Sequence, residues 1–240
     1  MRWLVLSMVA LFSARGVGAQ DAVTAVPGSY ARQFENDWVR IVRVHYPPYA
    51  KLPTHMHPAV ACAYVYLNDS GPVVFKHAGA DARDVTRPPT KSGAFRLFRG
   101  VEELHGVENL SPLPSDFLRV EFKTDPKEPR TLRGKFFREA SPAGENLENV
   151  QFENAQVRIS RLAIAAGQQL DVRTTPQEPA LLIALTPGSI EGEPAAAAVA
   201  LVPGQERWMD ANTSRRLRNA GTAPLELLRF DFKTAPLGAR

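Results

Sequence analysis

The sequence predicts an all-β chain built from two tandem units of short strands, and three observations predict it. The string QFENDWVRIVRV from Gln33 to Val44 returns as QFENAQVRISRL from Gln151 to Leu162, an offset of 118 residues. A second string, LRVEFKTDP from Leu118 to Pro126, returns as LRFDFKTAP from Leu228 to Pro236 at an offset of 110, so the second unit is eight residues shorter inside. Apolar and polar residues alternate with period two in these strings, and no stretch sustains a helical stripe.

The elements follow in order. Residues 1–19 read as a cleavable signal peptide: Arg2, an apolar run from Trp3 to Phe12, and the small-residue exit GVGAQ with cleavage after Ala19. That run is far shorter than the roughly 20 residues of a spanning helix, so the expectation is an exported chain, periplasmic or secreted, without stable membrane insertion. Residues 20–126 form the first unit. Val39 and Ile41 alternate with Arg40, and Leu118, Val120 and Phe122 alternate with Arg119, Glu121 and Lys123, the mark of half-buried strands. Short apolar runs such as AYVYL lie between, broken by turn clusters such as NDSG. Residues 127–148 are polar and contain proline, and read as an inter-domain linker that Phe136 and Phe137 would pin to a barrel. Residues 149–240 repeat the first unit, with Val157 and Ile159 against Arg158 and Leu228, Phe230 and Phe232 against Arg229, Asp231 and Lys233. Many short strands with turn signals make each unit a barrel or a double-sheet jelly roll.

Charge narrows the partners. The 29 basic and 25 acidic residues leave a net charge of +4, and +2 once Arg2 and Arg15 go with the leader. Basic residues such as Arg40, Arg43, Arg119, Lys123, Arg158 and Arg161 are scattered as on solvated strand faces, so no nucleic-acid partner is expected. Cys62 is the single cysteine, which excludes an internal disulfide.

The chemistry concentrates in five histidines. His55 and His57 stand one residue apart in PTHMHP, where an extended backbone points both side chains to one face. His105 lies far along the chain in LHGVEN, as a barrel requires if a separate strand is to reach the same ion. Three imidazoles with open positions suit one divalent metal ion: iron, copper, zinc, nickel or manganese. His45 and His77 have no partner at metal spacing and read as structural.

At these residues the chain resembles the cupin superfamily, whose first motif is G-x5-H-x-H-x(3,4)-E and whose second closes with H-x3-N. His55, His57, His105 and Asn109 match the ligand-bearing frame, with Asn109 serving the turn after the His105 strand. Tyr49 stands at the opening glycine, Gly100 and Glu102 replace the usual P-x-G, and Cys62 holds the glutamate position. In the second copy Arg173, Thr175 and Ala180 stand opposite His55, His57 and Cys62, and Arg215 and Asn219 opposite His105 and Asn109, while Gly167 restores the opening glycine. The resemblance implies two tandem cupin-type jelly-roll barrels with a metal site in the first, and a monomer or a homodimer.

Cys62 is open to two readings, a small buried apolar residue or a fourth ligand or neighbour of the ion. In thiol dioxygenases, cupins with three histidines on iron, some members cross-link a cysteine at this position to a tyrosine; here Phe122 stands where that tyrosine would be sought. Tyr64 and Tyr66 share a face with Cys62 and either line its cavity or fill the barrel. Arg173 and Arg215 either form an anion pocket in the second barrel, or pair with acids such as Glu178 or Glu206, or face water. Glu102 and Glu103 are the acids nearest His105. Three functions remain open: a metal-dependent, dioxygenase-like enzyme on a small molecule, a non-catalytic binder of a metal or small ligand, and a structural module with a vestigial site.

Overall fold

A computed structural model describes residues 20–139, 144–192 and 198–238. The leader, residues 1–19, lies outside the described residues. After a single helical turn at Ala22–Ala25, the first half runs through β1 (Tyr30–Glu35), β2 (Val39–Tyr46), β3 (Lys51–His57), β4 (Cys62–Tyr66), β5 (Val73–His77), β6 (Arg83–Arg87), β7 (Phe95–Phe98), β8 (Glu103–Asn109) and β9 (Ser115–Phe122). The second half repeats the series as β11 (Leu147–Glu153), β12 (Val157–Ile164), β13 (Gln169–Arg173), β14 (Ala180–Ala184), β15 (Gly188–Gly192), β16 (Val199–Leu201), β17 (Glu206–Met209), β18 (Ser214–Asn219) and β19 (Leu225–Phe232). Between them lies β10 (Gly134–Phe136).

Each half is two facing sheets. One sheet of the first half has the order β1-β2-β9-β4-β7-β10 and the other β3-β8-β5-β6; the second half has β11-β12-β19-β14-β17 and β13-β18-β15-β16. The orders correspond strand for strand except for β10, which the segment 127–148 contributes by pairing antiparallel with β7. The expected linker thus carries a strand of the first half. Phe136 pins it, stacked on Phe95 with centroids 4.6 Å apart, whereas Phe137 is exposed.

β9 and β19 are buried on both faces rather than half-buried as their alternation suggests, because the two larger sheets pack against each other. Val39, Ile41, Val120 and Phe122 join Val157, Ile159, Leu228, Phe230 and Phe232 in one core between the halves. Phe122 meets Phe230 and Phe232 at 6.2 and 6.1 Å. Successive side chains of a strand point to opposite faces, so the residues between these face the barrel interiors. The first interior holds Val44, Tyr46, Cys62, Tyr64, Tyr66 and Phe117, and the second holds Leu162, Ile164, Leu182, Leu217 and Leu227.

Arg119 and Arg161 therefore do not lie on solvated faces: they are 2% and 0% exposed. A buried guanidinium is tolerable only when paired. Arg119 meets Glu121 at 2.9 Å, and Arg161 meets Glu226 at 3.3 Å. No helix among the described residues is long and apolar enough to cross a membrane.

Candidate metal centre

The centre is built by β3 and β8, which pair antiparallel with His55 opposite His105 and His57 opposite Glu103. The register shifts between Leu52 and His55, and a one-residue shift moves the following side chains to the other face. The bulge thereby turns both Leu52 and His55 toward β8's inward face. Gly106 accommodates it, since a Cβ there would meet the Leu52 carbonyl oxygen at 3.2 Å. The second barrel has no such shift: β13 and β18 run in plain register with Val172 opposite Arg215. Val172, not Arg173, therefore takes the place of His55, a correction to the ungapped alignment.

The three imidazoles converge. Ring centroids are 4.9 Å apart for His55 and His57, 5.2 Å for His55 and His105, and 5.0 Å for His57 and His105. One ligand atom from each lies within 4.8 Å of the others, and all three residues are buried. His55 Nδ1 bonds the Pro53 carbonyl at 2.8 Å, and its Nε2 meets the Tyr30 hydroxyl at 2.9 Å, which in turn meets the Tyr46 hydroxyl at 2.7 Å. His105 has no hydrogen-bond partner at either ring nitrogen although both are buried. Such orphaned groups are rare in folded proteins and call for an explanation, an ion among them. Burial holds all three imidazoles neutral: His105 is pushed down to about 3, His55 is lowered, and His57 falls far below its ordinary range with help from the Arg119 charge. Neutral imidazole is the ligating form, so the residues present fit a divalent metal.

His77 is not the bystander expected from spacing. It pairs across β5 and β8 with His105, rings 5.2 Å apart, and with Glu103 and His105 it forms a second group of metal-capable atoms within 4.8 Å of one another. Sequence separation hid it, since the partner lies on the neighbouring strand. Glu103, two residues before His105, shares its inward face, and burial raises its carboxyl; Glu102 is exposed.

Cys62 joins neither group. It is fully buried in the barrel interior, where burial pushes its thiol up against the opposing pull of Arg119. Phe122 lies in the core between the barrels, not beside Cys62. Tyr64 lines the cavity beside the histidines, whereas Tyr66 packs behind it on Phe117 at 6.0 Å. That cavity of about 250 Å³ is also lined by Tyr30, Arg87, Arg96 and Lys135, all missed in the sequence. The repeat held one signal for Tyr30: its counterpart at the same offset is Glu148.

Other expectations resolve at once. Asn109 serves its turn, donating to the carbonyls of Pro47 at 2.8 Å and Leu113 at 2.9 Å, and Asn219 repeats this clamp on Ile164 and Ala223, both at 2.8 Å. Tyr49 and Gly167 both have positive φ, +56° and +73°, so the copies share a left-handed turn that glycine fits best. His45 lies at the surface, 2.5 Å from Asp116. Arg173 and Arg215 are both exposed. In the second interior a void of about 10 Å³ is walled by Leu182, Ala184, Ile190, Leu201 and Leu227 together with Gln205 and Arg207.

No family model matches the chain, and no curated protein matches it in sequence. Solved structures do resemble it. A cupin 2 conserved barrel domain protein from Leptotrichia buccalis superposes with TM-score 0.52 at 13% identity, over 85% of this chain and 88% of that one. Salicylate 1,2-dioxygenase from Pseudaminobacter salicylatoxidans gives 0.54 at 11% identity over 82% and 71%. Oxalate decarboxylase from Lactobacillus farciminis gives 0.52 at 13% identity over 87% and 85%. At such identities the likeness speaks for fold, and it agrees with the strand order and the paired sheets: this chain is a two-barrel protein of the cupin fold.

Proposed function

We propose that the first barrel holds one divalent metal ion through His55, His57 and His105, and uses it as a small-molecule, dioxygenase-type enzyme. The observation that carries this reading is the convergence of three buried neutral imidazoles, one with both nitrogens orphaned, on the wall of a cavity. When bound, the metal supplies Lewis acidity and, for a redox-active ion, oxygen activation. His55 offers Nε2, because Nδ1 is committed to the Pro53 carbonyl, and Tyr30 then keeps Tyr46 as its partner. Phe75 and Phe117 give the cavity an apolar wall, and Glu103 stands there as a group able to hold or release a proton. The likeness to a dioxygenase and a decarboxylase supports a small-molecule reaction in this fold.

Elemental analysis tests the centre. Purified protein carries about one equivalent of metal, and the His55→Ala, His57→Ala double variant carries none; equal content in both would refute it. Oxygen uptake by the iron-loaded form is then screened against small thiols, diketones and phenolics. Silence across all three, with metal retained, would leave binding without turnover. We further propose that residues 1–19 direct export, on their sequence pattern alone; mass spectrometry of exported protein would find Gln20 at the N-terminus.

A further inference from the structure

The cavity beside the histidines is walled by like charges. On the larger sheet Arg119 pairs across with Tyr64, Tyr64 with Arg96, and Arg96 with Lys135 of β10. Tyr64 thus lies between two guanidiniums, whose central carbons are 4.6 Å (Arg96) and 5.9 Å (Arg119) from its ring centroid. Like charges directly opposite each other on neighbouring strands destabilise a sheet, yet Arg96 and Lys135 stand so. Arg87 adds a fourth cation, 7% exposed and bonded by a guanidinium nitrogen to the Ser115 hydroxyl at 2.8 Å.

Counter-charges do not balance this row. Glu121 is shared by Arg119 and Arg40, and Glu103 is the one carboxylate lining the cavity. Among the described residues Arg87, Arg96 and Lys135 make no ion pair, and Nε of Arg87 and of Arg96 is buried without a partner. Outside, a groove lined by Arg99, Arg130 and Arg133 without any acid meets the cavity at Arg96 and Lys135. A one-signed cleft concentrates ligands of the opposite charge, and guanidinium forks match carboxylates.

We propose that this cavity takes a small organic carboxylate, held by Arg96 and Lys135 with Arg87 behind them and drawn in along the outer groove. As the identity of a substrate this rests on the metal reading above, but the anion subsite exists without the metal. Its entry side is made by β10, which has no counterpart among the described residues of the second half, so the stretch between the repeats completes the first site.

Calorimetric titration with benzoate and its neutral isostere benzamide tests this, in metal-free and zinc-loaded protein. We expect benzoate to bind at least tenfold more tightly than benzamide in both forms, and more weakly as salt rises. Arg96→Gln and the surface substitution Lys135→Gln should each weaken benzoate about fivefold, with zinc stoichiometry and benzamide binding unchanged. Equal affinity for the two probes, or benzoate binding only when zinc is present, would overturn the subsite and leave the metal centre standing. Benzoate preference in a protein that takes up no zinc would do the reverse.

Discussion

Tyr30 holds the His55 nitrogen that a metal would use, so its hydroxyl competes with the ion. A buried hydrogen bond contributes about 1 kcal/mol. Tyr30→Phe should therefore tighten zinc binding roughly fivefold in a competition titration, while the metal-free protein, losing the bonds to both His55 and Tyr46, gives up about 2 kcal/mol of stability in urea. Acid acts on the same residues. Below pH 6.5 the unfolded chain protonates His55, His57 and His105, while burial keeps them neutral in the native, metal-free protein, so the native state binds fewer protons and stability falls as the pH falls. For His105 the window runs from 6.5 down to about 3, at a slope of about 1.4 kcal/mol per pH unit. Urea midpoints of metal-free protein between pH 7 and 4 would show it, and His105→Gln would flatten the curve. The histidine trio was legible because two ligands share one strand face and the family frame supplies the third. His77 and Tyr30 were not, since only strand pairing brings them near.

Strands β9 and β10 show where period-two reading stops. Alternation assigns Arg119 and Val120 to opposite faces but does not say which face looks inward, and in a sheet covered on both sides neither looks at water. The apolar side of β9 went to the neighbouring barrel, and the charged side lines the cavity. β10 was hidden in a polar, proline-containing stretch whose three strand residues carry too little pattern to register. Phe136 anchors it by its stack on Phe95. Phe136→Ala should cost about 2 kcal/mol, below the range for a fully buried phenylalanine, and should speed hydrogen exchange at the amides of residues 134–136 more than elsewhere in the first barrel. Uniform acceleration would contradict its role as a local anchor.

The two barrels share one apolar core and are expected to unfold as one unit. Ile159 is fully buried in the second half but belongs to the core that Val39, Val120 and Phe122 complete. An aspartate there brings an unpaired charge into that layer at a cost of several kcal/mol. Ile159→Asp should lower the melting temperature of both halves together, with bound metal released in the same calorimetric transition. Two separated transitions would show the barrels to be independent. The repeat made two barrels legible, and the sequence shows directly that all five histidines fall in the first, but internal similarity carries no information about how the copies touch. The aromatic run is the last link: Phe136 contacts Phe152 of β11, centroids 6.0 Å apart, as well as Phe95. Rocking one half against the other would swing the doorway at Lys135, while the imidazoles ride undisturbed on the far wall. If the carboxylate and the metal bind as proposed, a chain stretched between its ends would release the first before the second.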